Sequence, residues 1–127
     1  MMPRDLALAY LAAFAQGDAD RIASFVADDF VNEHTSALAS SSSGRTEYRT
    51  RLPAFLQQFA GLNYQPEDVI ADGERVVVPY VMRCHYDGHP VELRGLFRFT
   101  VIDGQIARRV DYWDGVSFLR QIGQEAN

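Results

Sequence analysis

The chain has 127 residues, of which 47% are hydrophobic and 12% aromatic, and this is enough for the core of a single domain spanning residues 1–127. A formal charge of -5 and a pI near 5.0 argue against a nucleic acid or an anionic membrane as partner. All twelve cationic side chains are arginine, so Schiff-base chemistry, which needs a lysine amine, is excluded.

The first part of the chain is predicted to be helical. The Ala- and Leu-rich segment 3–15 has no internal Gly or Pro, and its spacing places Tyr10 and Phe14 on one helical face. Asp18 has the position of an N-cap for a short second helix. A short apolar strand over 30–35 follows.

A run of small residues, 36–44, interrupts the regular pattern. We expect it to be a mobile surface loop over a pocket, because small polar side chains bury little area against the entropy of ordering. A third helix is predicted over 45–60, with Phe55 and Phe59 on its apolar face and a kink at Pro53.

The remainder of the chain is predicted to be strands joined by tight turns. Asp87-Gly88 and Asp103-Gly104 are typical of two-residue hairpin turns. A meander of hairpins behind helices indicates an α+β fold with one antiparallel sheet. The predicted strands cover 62–71, 76–86, 90–102 and 105–113.

Alternation along these strands predicts which side chains face a pocket. If Trp113 points inward, Asp111 and Arg109 do so too, although we expect the long Arg109 side chain to extend to solvent. Burial beside Trp113 is expected to raise the pKa of Asp111, as suits a proton-transfer group. The alternative is a structural ion pair of Asp111 with Arg109 or Arg94. The other inward residues that we expect to line an apolar site for a flat ligand are Tyr80, Met82 and Phe97.

Cysteine and histidine usage points to no disulfide and no metal. The single cysteine, Cys84, cannot form an intrachain disulfide, which fits a cytoplasmic location. His85 and His89 flank a turn but have no convincing third ligand. We recognise neither a signal peptide nor a membrane span in the sequence.

Several short segments, taken together in their order and spacing, resemble the NTF2-like superfamily in its SnoaL-like and ketosteroid-isomerase-like branch. The resemblance implies a cone-shaped fold, in which a strongly curved antiparallel sheet wraps around N-terminal helices and leaves a deep pocket at one end. It covers most of the chain and is carried by residues 9–18, 27–31, 44–45, 103–106, 111–114 and 118–123.

The resemblance also suggests roles for particular residues. Tyr10 falls where ketosteroid isomerases have a tyrosine that donates to the developing oxyanion, and His34 falls where they have the aspartate base. Gly95 replaces their second oxyanion donor, which argues against steroid isomerisation. Asp111 resembles the acid/base aspartate of SnoaL-type polyketide cyclases.

The function expected from these observations is cofactor-free acid/base chemistry, a cyclisation or isomerisation, on an apolar cyclic or polyketide-like compound. The candidate catalytic residues are Asp111, His34 and Tyr10, and the alternative is a non-catalytic domain that binds a hydrophobic small molecule or serves for dimerisation. Phe14, Phe55 and Phe59 complete the expected substrate-binding set. A homodimer is expected through the outer face of the sheet, defined by the apolar residues Val77, Pro79, Val81, Leu96 and Val110.

Overall fold

A computed structural model describes residues 1–124 as four helices packed on one curved, open sheet of seven strands, which confirms the α+β class. The helices are α1 (Pro3–Ala13), α2 (Ala19–Ser24), α3 (Arg45–Gln58) and α4 (Gly115–Gln121). The strands are β1 (Val26–His34), β2 (Ser42–Ser43), β3 (Phe59–Pro66), β4 (Ile70–Asp72), β5 (Arg75–Tyr86), β6 (His89–Ile102) and β7 (Gln105–Trp113).

The helix ends follow local capping chemistry. The carboxylate of Asp18 accepts hydrogen bonds from the backbone N–H groups of Asp20 and Arg21 at 3.1 and 3.2 Å, which confirms the predicted N-cap of α2. Helix α3 continues through Pro53 but ends at Gln58, before the predicted 60, because the next residues pair with β5. Asp114 caps α4, a helix that the sequence analysis did not predict.

The sheet differs from a simple meander at one edge. The strand order is β2-β1-β7-β6-β5-β3, with β4 pairing on β5. The hairpins β5–β6 and β6–β7 are antiparallel as expected, but β1 pairs with β7 in parallel. The prediction of an entirely antiparallel sheet is therefore wrong at this pair. A single strand over 62–71 is also wrong, because β3 and β4 are separate strands on β5.

The concave face of the sheet packs against the helices. The aromatic core contains Tyr10, Phe14, Phe30 and Phe99, which are almost fully buried. None of the helices in residues 1–124 is both long and apolar enough to cross a membrane. On the opposite, outer face, Val110 is buried and Val77, Pro79, Val81 and Leu96 are half-buried among charged side chains.

Candidate functional site

A cavity of about 450 Å³ opens between the concave sheet, α3 and the loop after β1. Its wall is largely aromatic, as the alternation along the strands predicted. Phe97 is not part of the wall, because it lies behind Tyr80 with the two ring centroids 4.5 Å apart. The other six residues expected to bind a substrate do line the cavity: Phe14, Phe55, Phe59, Tyr80, Met82 and Trp113.

Two neighbouring strands, β1 and β7, each contribute two polar side chains to the lining of this cavity. The parallel pairing of β1 and β7 places Asn32 beside Arg109 and His34 beside Asp111. Residues two apart on a strand face the same way, so these four side chains form one block on the concave face. This block is where the site's chemistry is concentrated.

Asp111 is a buried carboxyl group at the edge of the cavity. Its side chain is 7% exposed, and Oδ1 accepts a hydrogen bond of 2.6 Å from the Tyr80 hydroxyl. Burial raises the pKa of Asp111 to about 6, although the charge of Arg109 and the hydrogen bond from Tyr80 act in the opposite direction. The group therefore changes its charge near pH 6, within the range in which a general acid or base is effective at physiological pH.

His34 lies beside Asp111, with its Nδ1 atom 3.6 Å from Asp111 Oδ2. Burial, followed by the charges of Arg109 and Arg51, lowers the pKa of His34 to about 4. Between these two pKa values both groups are neutral, and at neutral pH Asp111 is ionised while His34 is neutral, so the two do not form an ion pair. A neutral His34 is suited to donate one hydrogen bond to a ligand oxygen.

Arg109 does not reach solvent, and that expectation is wrong. The side chain turns inward and the residue is 5% exposed. Its Nε donates to Asn32 Oδ1 and its Nη1 donates to the Tyr10 hydroxyl, both at 2.9 Å. The expected alternative pairs of Asp111 are also absent from residues 1–124, since Arg94 pairs with Glu67 and no Asp111 oxygen lies within 4.0 Å of Arg109.

Tyr10 lies behind the cavity wall. It is completely buried, and its hydroxyl is shared between Arg109 and the hydroxyl of Tyr48. It does not line the cavity, so it reaches the site only through Arg109 and Tyr48, which do. Of the three candidate catalytic residues, the structure brings Asp111 and His34 together and places Tyr10 in the supporting layer.

The loop that precedes α3 covers part of the cavity. Leu38, Ala39 and Ser40 contribute to the lining, and Arg51 on α3 lies nearby at the opening. The position agrees with the expected covering segment, whereas its mobility stays a prediction. Within residues 1–124, no three His, Cys, Asp or Glu side chains come together as metal ligands.

The sequence analysis missed Asn32, although one signal was available. Asn32 lies two residues before His34, so alternation on one strand puts both on the same face. The sequence did not indicate which strand pairs with β1, and only the parallel pairing with β7 places Asn32 next to Arg109.

The comparisons with known proteins agree with this architecture. A protein with a ketosteroid isomerase-like fold from Catenulispora acidiphila, solved with trimethylamine, has a TM-score of 0.87 at 17% identity, covering 98% of this chain and 95% of that chain. A proposed polyketide cyclase from Xanthomonas campestris has a TM-score of 0.78 at 26% identity, covering 95% and 96%. An LEH-like epoxide hydrolase from M. tuberculosis has a TM-score of 0.81 at 24% identity, covering 94% and 91%.

No curated protein matches the chain at a significant level. The SnoaL-like domain profile matches residues 7–109, which is most of the chain and includes both β1 and the first part of β7. The chain therefore belongs to the SnoaL-like domain family, and its fold is NTF2-like, as the resemblance implied.

Proposed function

We propose that this protein is an enzyme that transfers protons on an apolar cyclic or polyketide-like compound, in a cyclisation or isomerisation that needs no cofactor. The observation that carries the proposal is Asp111, a buried carboxyl group that opens onto an aromatic cavity and has its pKa raised to about 6. A general base is most effective when its pKa lies near the working pH. The likeness to a proposed polyketide cyclase supports the same chemistry.

The reaction begins with ionised Asp111, which takes a proton from a carbon next to a carbonyl group. The electron pair of the broken C–H bond moves to the carbonyl oxygen and gives an enolate, to which neutral His34 donates a hydrogen bond. Asp111, now neutral, returns its proton to another carbon in an isomerisation. In a cyclisation the enolate carbon attacks a second carbonyl group, and the proton goes to the new alkoxide.

The cavity supports an apolar substrate. Its volume of about 450 Å³ lies in the usual range for small-molecule sites, and Phe14, Phe55 and Trp113 contribute aromatic rings to its lining. Burial by such a ligand removes water from Asp111 and His34, which strengthens every electrostatic interaction at the reacting atoms.

Deuterium exchange of 2-tetralone, an apolar bicyclic ketone with acidic protons next to the carbonyl, tests the proposal without knowledge of the natural substrate. We expect the protein to accelerate exchange in deuterated buffer, followed by proton NMR, with a rate that rises with pH through about 6. Asp111→Asn should reduce the rate at least about 100-fold, since the amide is not a base.

The matched control is Asp29→Asn, which removes an exposed carboxylate from β1. It should exchange tetralone at the wild-type rate. If wild type exchanges tetralone no faster than buffer, or if Asp111→Asn retains the wild-type rate, the enzymatic proposal is wrong and the alternative of a non-catalytic binding domain is favoured.

A further inference from the structure

Arg109 is a buried cation for which residues 1–124 supply no carboxylate within 4.0 Å. Burying a charge is costly unless it is paired and hydrogen-bonded. Part of that cost is offset by the faces of three rings, since the guanidinium carbon lies 5.1, 5.8 and 6.0 Å from the centroids of Phe97, Tyr48 and Tyr10. Asp111 contributes only at longer range.

The hydrogen bonds of Arg109 leave one nitrogen available. Nε and Nη1 donate to Asn32 and Tyr10, but Nη2 makes no hydrogen bond within residues 1–124. Nη2 is not fully enclosed by protein, since the enclosed side-chain atoms without a hydrogen-bond partner do not include it. Arg109 also lines the cavity. The guanidinium therefore keeps N–H donors directed at the cavity, where a ligand can reach them.

Asn32 adds a second set of donors. Arginine can only donate hydrogen bonds, so the Asn32 atom that receives Nε must be the amide oxygen, and this fixes the orientation of the amide. The amide nitrogen makes no hydrogen bond within residues 1–124, and Asn32 also lines the cavity while being only 7% exposed. The cavity thus presents donors from two buried side chains on neighbouring strands.

We propose that Arg109 and the amide of Asn32 form an oxyanion-binding site, and that the ligand is an apolar ring compound that carries a negatively charged oxygen. The site adjoins His34 and Asp111, since Arg109 and Asp111 lie two residues apart on one face of β7, roughly 7 Å. An oxygen held by Arg109 therefore places the neighbouring carbons of the ring near Asp111. This inference deepens the proposed function, on which it rests for that orientation.

Two sources of the charged oxygen share this chemistry. One is a carboxylate that the ligand carries before it binds, and the other is an enolate or phenolate that forms when the ligand loses a proton in the site. In either case the negative charge offsets that of Arg109, and the donors of Arg109 and Asn32 bind the oxygen in a site from which water is excluded.

The test compares 2-naphthoate with its neutral counterpart 2-naphthamide by titration calorimetry at pH 6. We expect wild type to bind the carboxylate at least about tenfold more tightly than the amide, the size expected for a charged hydrogen bond. A nitrophenol separates the two sources, because its ionisation is read from visible absorbance. Ionisation promoted by wild type assigns the site to an enolate or phenolate, and a preference confined to the naphthoate assigns it to a carboxylate.

The informative variant is Asn32→Asp. Removal of Arg109 itself would leave the buried Tyr10 hydroxyl, which is also bonded to Tyr48, without its cationic donor and endanger the fold. Asn32→Asp keeps the acceptor for Nε but supplies an internal counter-charge, so it should fold and lose the preference for 2-naphthoate over 2-naphthamide. The control is Arg108→Gln, which removes the same charge from the outer side of β7, where Arg108 pairs with Glu33. It should keep the preference.

Equal affinity of wild type for 2-naphthoate and 2-naphthamide, with no promoted ionisation of the nitrophenol, overturns the inference. So does a preference that survives in Asn32→Asp. These measurements need no turnover, so they separate the two proposals. If Asp111→Asn loses tetralone exchange but wild type shows no preference for the anion, only the proposed function holds. If wild type prefers the anion but does not accelerate tetralone exchange, only the anion site holds.

Discussion

Asp111 and His34 are adjacent, yet burial shifts their pKa values in opposite directions. The folded protein holds the proton of Asp111 more tightly than the unfolded chain does, because the pKa rises from the ordinary 3.8 to about 6. It holds the proton of His34 less tightly, because that pKa falls from 6.5 to about 4. Both groups are therefore neutral over the same interval of pH, and each is costly to fold when charged.

The consequences for stability have opposite signs. The cost of ionised Asp111 is absent below about pH 4 and grows until pH exceeds about 6, whereas the cost of charged His34 is absent above about pH 6.5 and grows as pH falls towards 4. In wild type both contributions lower the free energy of unfolding, but their pH dependences have opposite signs and largely cancel between pH 4 and 6. Substitution of either residue alone should reveal the contribution of the other to the pH dependence of stability.

We expect Asp111→Asn to have the stability of wild type near pH 4 and to exceed it by up to about 3 kcal/mol at pH 8, since the amide still accepts from Tyr80 but carries no charge. His34→Gln should show the opposite pattern, with its advantage over wild type confined to acid pH. Urea unfolding across this pH range measures both differences. An Asp111→Asn protein that is less stable than wild type at pH 8 would mean that the carboxylate is stabilised by its surroundings, and the raised pKa would be wrong.

At the scale of the strands, Gly95 determines how Tyr80 meets Asp111. Tyr80 on β5 is paired with Gly95 on β6, and Gly95 is paired with Trp113 on β7. Because Gly95 has no side chain, the Tyr80 ring lies across β6 and its hydroxyl reaches Asp111. A Cβ atom at position 95 would overlap the Tyr80 ring and lie 2.7 Å from the backbone oxygen of Tyr112. The glycine that removes an oxyanion donor therefore makes room for the hydrogen-bond partner of Asp111.

We expect Gly95→Ala to displace Tyr80 and to cost about 1–3 kcal/mol of stability, as overpacked sites do. Loss of the Tyr80 hydrogen bond should raise the pKa of Asp111 further, because that bond favours the ionised carboxylate. Carboxyl NMR titration of Asp111 gives the direct measurement. Tyr80→Phe is the matched control, since it removes the same hydroxyl without a steric clash and should shift the pKa in the same direction. An unchanged pKa in both variants would contradict this role of Gly95.

The sequence predicted the bounds and the inward-facing residues of the strands better than it predicted which strands pair with each other. The bounds of β7 are those observed, and alternation correctly placed Asp111, Tyr80 and Met82 on the concave face, because side-chain direction depends only on local backbone geometry. The parallel pairing of β1 with β7 joins residues more than 70 positions apart, which no local pattern reports. The contacts among the four polar residues, and the burial of Arg109, depend on that pairing and so could not be predicted.

At the scale of the whole molecule, the outer face of the sheet carries a row of apolar side chains with ion pairs around it. Pro79, Leu96 and Tyr112 are successive cross-strand neighbours, and Tyr112 is 39% exposed. Around them, Arg83 pairs with Glu92 and Arg94 with Glu67 within the same chain. These four charges already have partners within the chain, and Arg98 beside them donates to the Tyr112 hydroxyl, so a second copy that packs on the apolar row need not supply counter-ions for the four.

We therefore expect a symmetric homodimer formed by the outer faces of two copies, with Leu96 near its centre. Leu96→Glu places a carboxylate in the apolar row, so that two such charges would meet across the two-fold axis, and it should convert the dimer to a monomer with an unchanged circular dichroism spectrum. Sedimentation velocity at micromolar concentration gives the measurement. Val116→Glu is the control, because Val116 is also a partly exposed apolar residue but lies on α4, outside the sheet. It should remain dimeric, and a wild-type protein that sediments as a monomer would exclude this assembly.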